Sequence, residues 1–135
     1  MIRTVKSTLI AVTLAASTTL AAPAIAGGSF SFEVSAKNAD EARAIRNGLA
    51  LYQVVNDIQT NGHITQNGIN NIAAMAQGGH GHTGVIHQDG NGHNASLQQS
   101  GNSNAYGIFQ FGENANGHVQ QNGNGQAGVL FQVGF

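Results

Sequence analysis

Histidine is the residue type in this chain best suited to chemistry. His80, His82, His87 and His93 lie close together, and tracts of this kind bind zinc or copper through imidazole nitrogen. The set is incomplete as a metal site. The chain has no cysteine, and Asp89 is the one carboxylate nearby. Histidine also carries a donor and an acceptor of the kind asparagine offers, so a hydrogen-bonding role competes with ligation. Ser96 and Ser100 sit near His93 and Asp89, but no nucleophile, base and acid line up, and no catalytic residue is assigned. Gly78-Gly79-His80-Gly81 has no lysine beside it and no helix pattern after it, so it is not a phosphate loop. Past Arg46 there is no Lys or Arg, which argues against a nucleic-acid partner. No enzyme activity and no cofactor are expected.

What positions these histidines is a repeat. Gln-x-Gly recurs seven times, every eleven residues, without interruption. The glutamines are Gln66, Gln77, Gln88, Gln99, Gln110, Gln121 and Gln132. The glycines are Gly68, Gly79, Gly90, Gly101, Gly112, Gly123 and Gly134. Two places before each glutamine stands an aliphatic residue: Ile64, Met75, Ile86, Leu97, Ile108, Val119 and Leu130. A fixed short period signals one unit stacked on copies of itself. An eleven-residue period also suits a right-handed coiled coil, but a glycine in every unit opposes a long helix.

Along a strand, alternate residues share a face. Each glutamine therefore points the same way as its aliphatic residue, and the segment after it, with its fixed glycine, reads as a tight turn. The unit becomes a strand of about seven residues and a turn of about four. Two units make a rung, so residues 22 apart should lie over one another. Ile64, Ile86, Ile108 and Leu130 then form one core column, and Met75, Leu97 and Val119 the facing one. The glutamines form two amide ladders, each side chain donating to one neighbour and accepting from the other. His87, Phe109 and Phe131 form an outward aromatic strip. The fold class expected is all-β, a β-solenoid of seven strand-turn repeats, after a signal peptide and a short irregular or helical N-terminal segment.

Residues 1–26 read as a secretory signal peptide: Arg3 and Lys6, an apolar run from Leu9 to Leu20, then Ala24-Ile25-Ala26. No transmembrane segment is expected in the mature chain. Residues 27–58 lie outside the strict repeat. Phe30, Phe32 and Val34 alternate with Ser31 and Glu33, a strand pattern. Asn38 with Glu41 suggests a capping box for a helix through Ala42, Ile45 and Arg46. Asn47 to Gln53 also fits a degenerate first strand, and the two readings overlap. Lys37, Arg43 and Arg46 mark either a solvated helix face or a leader for a secretion machinery. The repeat region occupies 59–135. Its only charges are Asp89 and Glu113, so little repulsion opposes stacking. With no strand or helix signal after the last unit, both ends of the solenoid are expected open.

These repeats resemble the curlin repeat of bacterial curli fibre subunits, whose pattern is Ser-x5-Gln-x-Gly-x-x-Asn-x-Ala-x3-Gln. Gln66 to Gln77 fits it from the first Gln onward, with Gly68, Asn71 and Ala73 in place. Gln88 to Gln99 has His93 in the Asn slot. Gln99 to Gln110 has Tyr106 in the Ala slot, and Gln121 to Gln132 has Gln126 and Gly128 in the Asn and Ala slots. The resemblance runs from about residue 60 onward. It implies a secreted subunit that polymerises into functional amyloid, an extracellular fibre on a bacterial cell surface that serves biofilm matrix and adhesion. The partners it implies are further copies of the chain, a nucleating companion subunit and an outer-membrane secretion apparatus. The alternatives are a secreted His-rich metal-binding solenoid and an adhesin that does not polymerise.

Overall fold

The computed structural model describes residues 28–58 and 60–135. The expected signal peptide lies outside the described residues. Seven of the eight strands are the repeat units: β2 (Gly62–Asn67), β3 (Ile72–His80), β4 (Thr83–Asn91), β5 (Asn94–Asn102), β6 (Ala105–Glu113), β7 (Asn116–Asn124) and β8 (Ala127–Gly134). Before them come β1 (Ser29–Ser35) and the helix α1 (Ala39–Val55). The repeats wind into a β-solenoid of about three turns. Alternate strands fall on opposite walls. One sheet runs β1-β8-β6-β4-β2 and the other β3-β5-β7.

Every pairing between repeat strands is parallel with a 22-residue offset: Ile64 lies against Ile86, Ile86 against Ile108, Ile108 against Leu130, and Met75 against Leu97 against Val119. Between the walls Ile86, Ala95, Leu97, Tyr106, Ile108 and Leu130 are buried. The alternating pattern explains this core: with both sheets facing inward, one face of each strand away from the β2–β3 end is removed from water.

Three expectations change. The strands β3 to β7 are nine residues long, and the ladder runs through Gln-x-Gly instead of ending there. From β3 onward each corner shrinks to two residues, such as Gly92 and His93 between β4 and β5. The turn glycines make this continuation feasible. Gly90 bends its strand at φ 131°, and a Cβ there would strike the carbonyl oxygen of Gly112 in the next rung. The corner itself uses a second left-handed residue, such as Asn70, Gly81 or Ser103.

The second change concerns Asn47 to Gln53, which belongs to α1 and not to a strand. Asn38 caps the helix by accepting from the Glu41 N–H at 2.9 Å, and Glu41 accepts from the Lys37 N–H at 2.8 Å. Ala42, Ile45, Leu49 and Tyr52 then form one apolar stripe at helical spacing. That stripe packs on the outer face of the five-stranded sheet, over Val85, Ala105, Phe109 and Ala127. The helix stops at Asp57, φ 54°, where Ile58 N–H donates to Gln53 O and Asp57 N–H to Val54 O.

The third change is at the last strand. The edge of β8, expected to be open, is covered by β1. The two pair antiparallel over their full length, Ser29 opposite Gly134 and Ser35 opposite Gly128. Phe30, Phe32 and Val34 supply the strand, and an unpaired parallel edge supplies its partner.

Candidate functional site: the amide ladders and the sheet edges

The glutamine side chains form two continuous hydrogen-bonded columns. Gln66 Nε2 donates to Gln88 Oε1 at 2.8 Å, Gln88 to Gln110 at 2.8 Å, and Gln110 to Gln132 at 2.7 Å. On the other wall Gln77 donates to Gln99 and Gln99 to Gln121, both at 2.8 Å. Gln88, Gln99 and Gln110 are wholly buried, which would be costly for an unpaired amide. None is unpaired. The second hydrogen of each Nε2 goes to a backbone carbonyl on the facing wall: Gln88 to Ile72 at 2.9 Å, Gln99 to Thr83 at 3.2 Å, Gln110 to Asn94 at 2.9 Å, and Gln132 to Asn116 at 2.7 Å. One side chain therefore links the rung beyond it and the opposite sheet. Periodicity alone does not reveal this second bond, which joins residues 16 apart. Glutamate would lack the donors, and asparagine is one methylene shorter.

The ladders have a direction. Among the described residues nothing donates to Gln66 Oε1 or Gln77 Oε1, so the β2–β3 end presents acceptors. At the other end Gln121 Nε2 uses one hydrogen, on Ala105 O at 3.2 Å. Gln132 Nε2 meets Ser31 Oγ of β1 at 3.4 Å. That end presents donors: among the described residues one hydrogen of Gln121 Nε2 has no partner, and one of Gln132 Nε2 is held by the long contact to Ser31.

A second polar column lies at the corners. Asn71 Nδ2 donates to Asn67 O at 3.1 Å, and its Oδ1 accepts from His93 N–H at 3.0 Å. Asn104 repeats the arrangement with Ser100 O and Gln126 N–H. The histidines do the same with a ring. His82 pairs its Nε2 with Gly78 O at 2.8 Å and accepts from Asn104 N–H at Nδ1. His93 pairs with Asp89 O and accepts from Ala115 N–H. Both rings are buried and have both nitrogens committed to backbone. An Nδ1 that accepts from an N–H, beside an Nε2 that faces a carbonyl, fixes the Nε2–H tautomer. The two rings stand in separate columns, His82 with Asn104 and His93 with Asn71. Among the described residues no three His, Cys, Asp or Glu side chains gather as a metal site.

His87, Phe109 and Phe131 line up along the outer face: the Phe109 and Phe131 rings stack with centroids 4.9 Å apart, and His87 is tilted against Phe109 at 6.4 Å. Tyr52 of α1 closes over the strip: its ring meets Phe109 edge-on at 5.2 Å and its hydroxyl pairs with His87 Nδ1 at 3.0 Å. Tyr106, in a column otherwise small, has glycine on either side, Gly84 and Gly128. Its hydroxyl reaches past Gly128 to donate to Glu33 Oε1 of β1 at 2.6 Å. Burial, with Glu33 beside it, pushes the phenol well above its usual range.

The turn glycines stack rung on rung beside the ladders, and the core aliphatics fill the space between walls. Ile64 differs from its column, being 40% exposed at the β2 end. Compared with known proteins, the chain matches no family model, no curated protein and no solved structure. Among the described residues no helix is long and apolar enough to cross a membrane.

Proposed function

We propose that this chain is a secreted structural subunit that assembles head to tail into extracellular amyloid fibres of the curli type, for biofilm matrix and surface adhesion. The observation that carries the reading is the complementarity of the two ends. Acceptors on Gln66 and Gln77 that nothing among the described residues fills mark one end of the ladders, and donors on Gln121 and Gln132 mark the other.

The repeat also dictates how a second copy fits. Seven repeat strands put four on one wall and three on the other. A copy that set its own β2 on β8 would leave an empty half-rung on the opposite wall. The arrangement that continues the eleven-residue period is turned by half a rung. The incoming β2 lies on β7, with Gln66 over Gln121, and the incoming β3 lies on β8, with Gln77 over Gln132. Acceptors of one copy then meet donors of the next. A contact of this kind joins two different surfaces of the same chain, and with an axial rise at every step it propagates as a filament.

The low charge of every repeat favours the major, fibre-forming subunit over a nucleating one. The secretion apparatus and companion subunit implied by the resemblance belong to this proposal, as does the extracellular location. A second reading, a solenoid adhesin that does not polymerise, draws support from β1, which covers one of the two strands the next copy needs. The test is to release purified residues 27–135 from denaturant and follow thioflavin fluorescence, then fibre diffraction. Growth with reflections at about 4.7 and about 10 Å supports the fibre subunit. A stable soluble monomer under the same conditions favours the adhesin.

A further inference from the structure

We propose that β1 is a displaceable edge cap, and that a second copy's β3 takes its place on β8 during assembly. This rests on the fibre reading above. The half-turn arrangement divides the docking surface in two. Among the described residues no strand pairs with the outer edge of β7, which can take an incoming β2, whereas β8 already holds β1.

The cap sits where the incoming strand would sit. Ser31 lies opposite Gln132, the place of the incoming Gln77, and Glu33 lies opposite Leu130, the place of the incoming Met75. On its inward face it is chemically a poorer occupant. Ser31 Oγ meets the last ladder amide at 3.4 Å, against 2.7–2.8 Å between glutamines. Glu33 sets a carboxylate at the end of an aliphatic column, where it depends on the Tyr106 hydroxyl. The cap is antiparallel, whereas every repeat pairing is parallel. It is joined to α1 through residues 36–38 alone, so the strand can leave while the helix stays on the sheet face. Exchange replaces a serine with a matched amide and a carboxylate with an apolar side chain, at no loss of backbone pairing. Both changes favour the incoming copy.

The test uses a cross-link. Phe30 and Val133 are directly opposed and both exposed, and the chain has no cysteine of its own. In the Phe30→Cys, Val133→Cys protein the oxidised form ties the cap to β8, and reduction frees it without changing the sequence. Elongation from wild-type seeds is expected to fall at least ~10-fold in the oxidised form, because a strand held at the edge blocks pairing there. Equal elongation in both forms overturns the proposal. Should the reduced form also fail to elongate, Phe32→Ala decides. It truncates the half-buried cap side chain opposite Phe131, so it loosens the cap and should shorten the lag severalfold, and an unchanged lag overturns the proposal. If wild-type protein does not polymerise at all, the fibre reading itself fails, a separate result that removes the exchange with it.

Discussion

At one end of the solenoid Ile64 is 40% exposed and Gln66 and Gln77 lie at the surface; at the other, Leu130 is 7% exposed and Gln132 8%. The same repeat builds both ends. At β8 the difference comes from one short strand outside the repeat, since β1 covers β8 and nothing among the described residues covers the outer edges of β2 and β3. A periodic core is indifferent to where it stops, so the properties of its ends are set by what lies beside them.

The sharpest way to test that contrast is through the aliphatic column. Ile108 is wholly buried and Ile64 is not. Ile108→Ala should lower monomer stability by about 2–5 kcal/mol, as for other large core truncations, and Ile64→Ala by about 1 kcal/mol or less. Denaturant midpoints of the soluble monomer measure both, and equal losses would erase the distinction between interior and end.

Glutamine should separate stability from assembly. Gln110→Ala strands the Gln88 donor and should cost about 1–3 kcal/mol. Gln66→Ala should barely change the monomer, yet slow seeded elongation more than Gln98→Ala or Gln120→Ala, whose side chains are exposed. Equal elongation rates in all of these would refute the assigned faces.

The smallest effect expected is at the capped end and depends on pH. Tyr106 has its phenol pKa raised from 10.0 by burial and by Glu33. The unfolded chain therefore loses this proton at lower pH than the folded one. Its contribution to stability is intact below pH 10 and is lost as pH rises above it. Tyr106→Phe should flatten that alkaline decline in the denaturant midpoint, and an unaltered slope would place the titration elsewhere.

Much of the fold is legible in the period. An eleven-residue spacing converts directly into a register of 22, so the columns through Ile86 and Ile108, and through Gln88 and Gln110, follow once strands are assumed. The strand lengths do not follow, because a glycine that bends a strand and one that ends it look alike in sequence. Asn47 to Gln53 is ambiguous because Leu49 and Leu51 suit a strand, while Ile45, Leu49 and Tyr52 suit a helix. The alternation at Phe30, Phe32 and Val34 announces a strand but not the edge it joins. The Tyr106 and Glu33 pair spans 73 residues, beyond any local signal.

The ladders have one more consequence. All five side-chain amide bonds point the same way, from Nε2 towards a later residue. Their dipoles add along the axis, as peptide dipoles do along a helix, and each bond polarises the next. A long stack would therefore carry a field along its length, and small ions and polar solutes would distinguish its two tips.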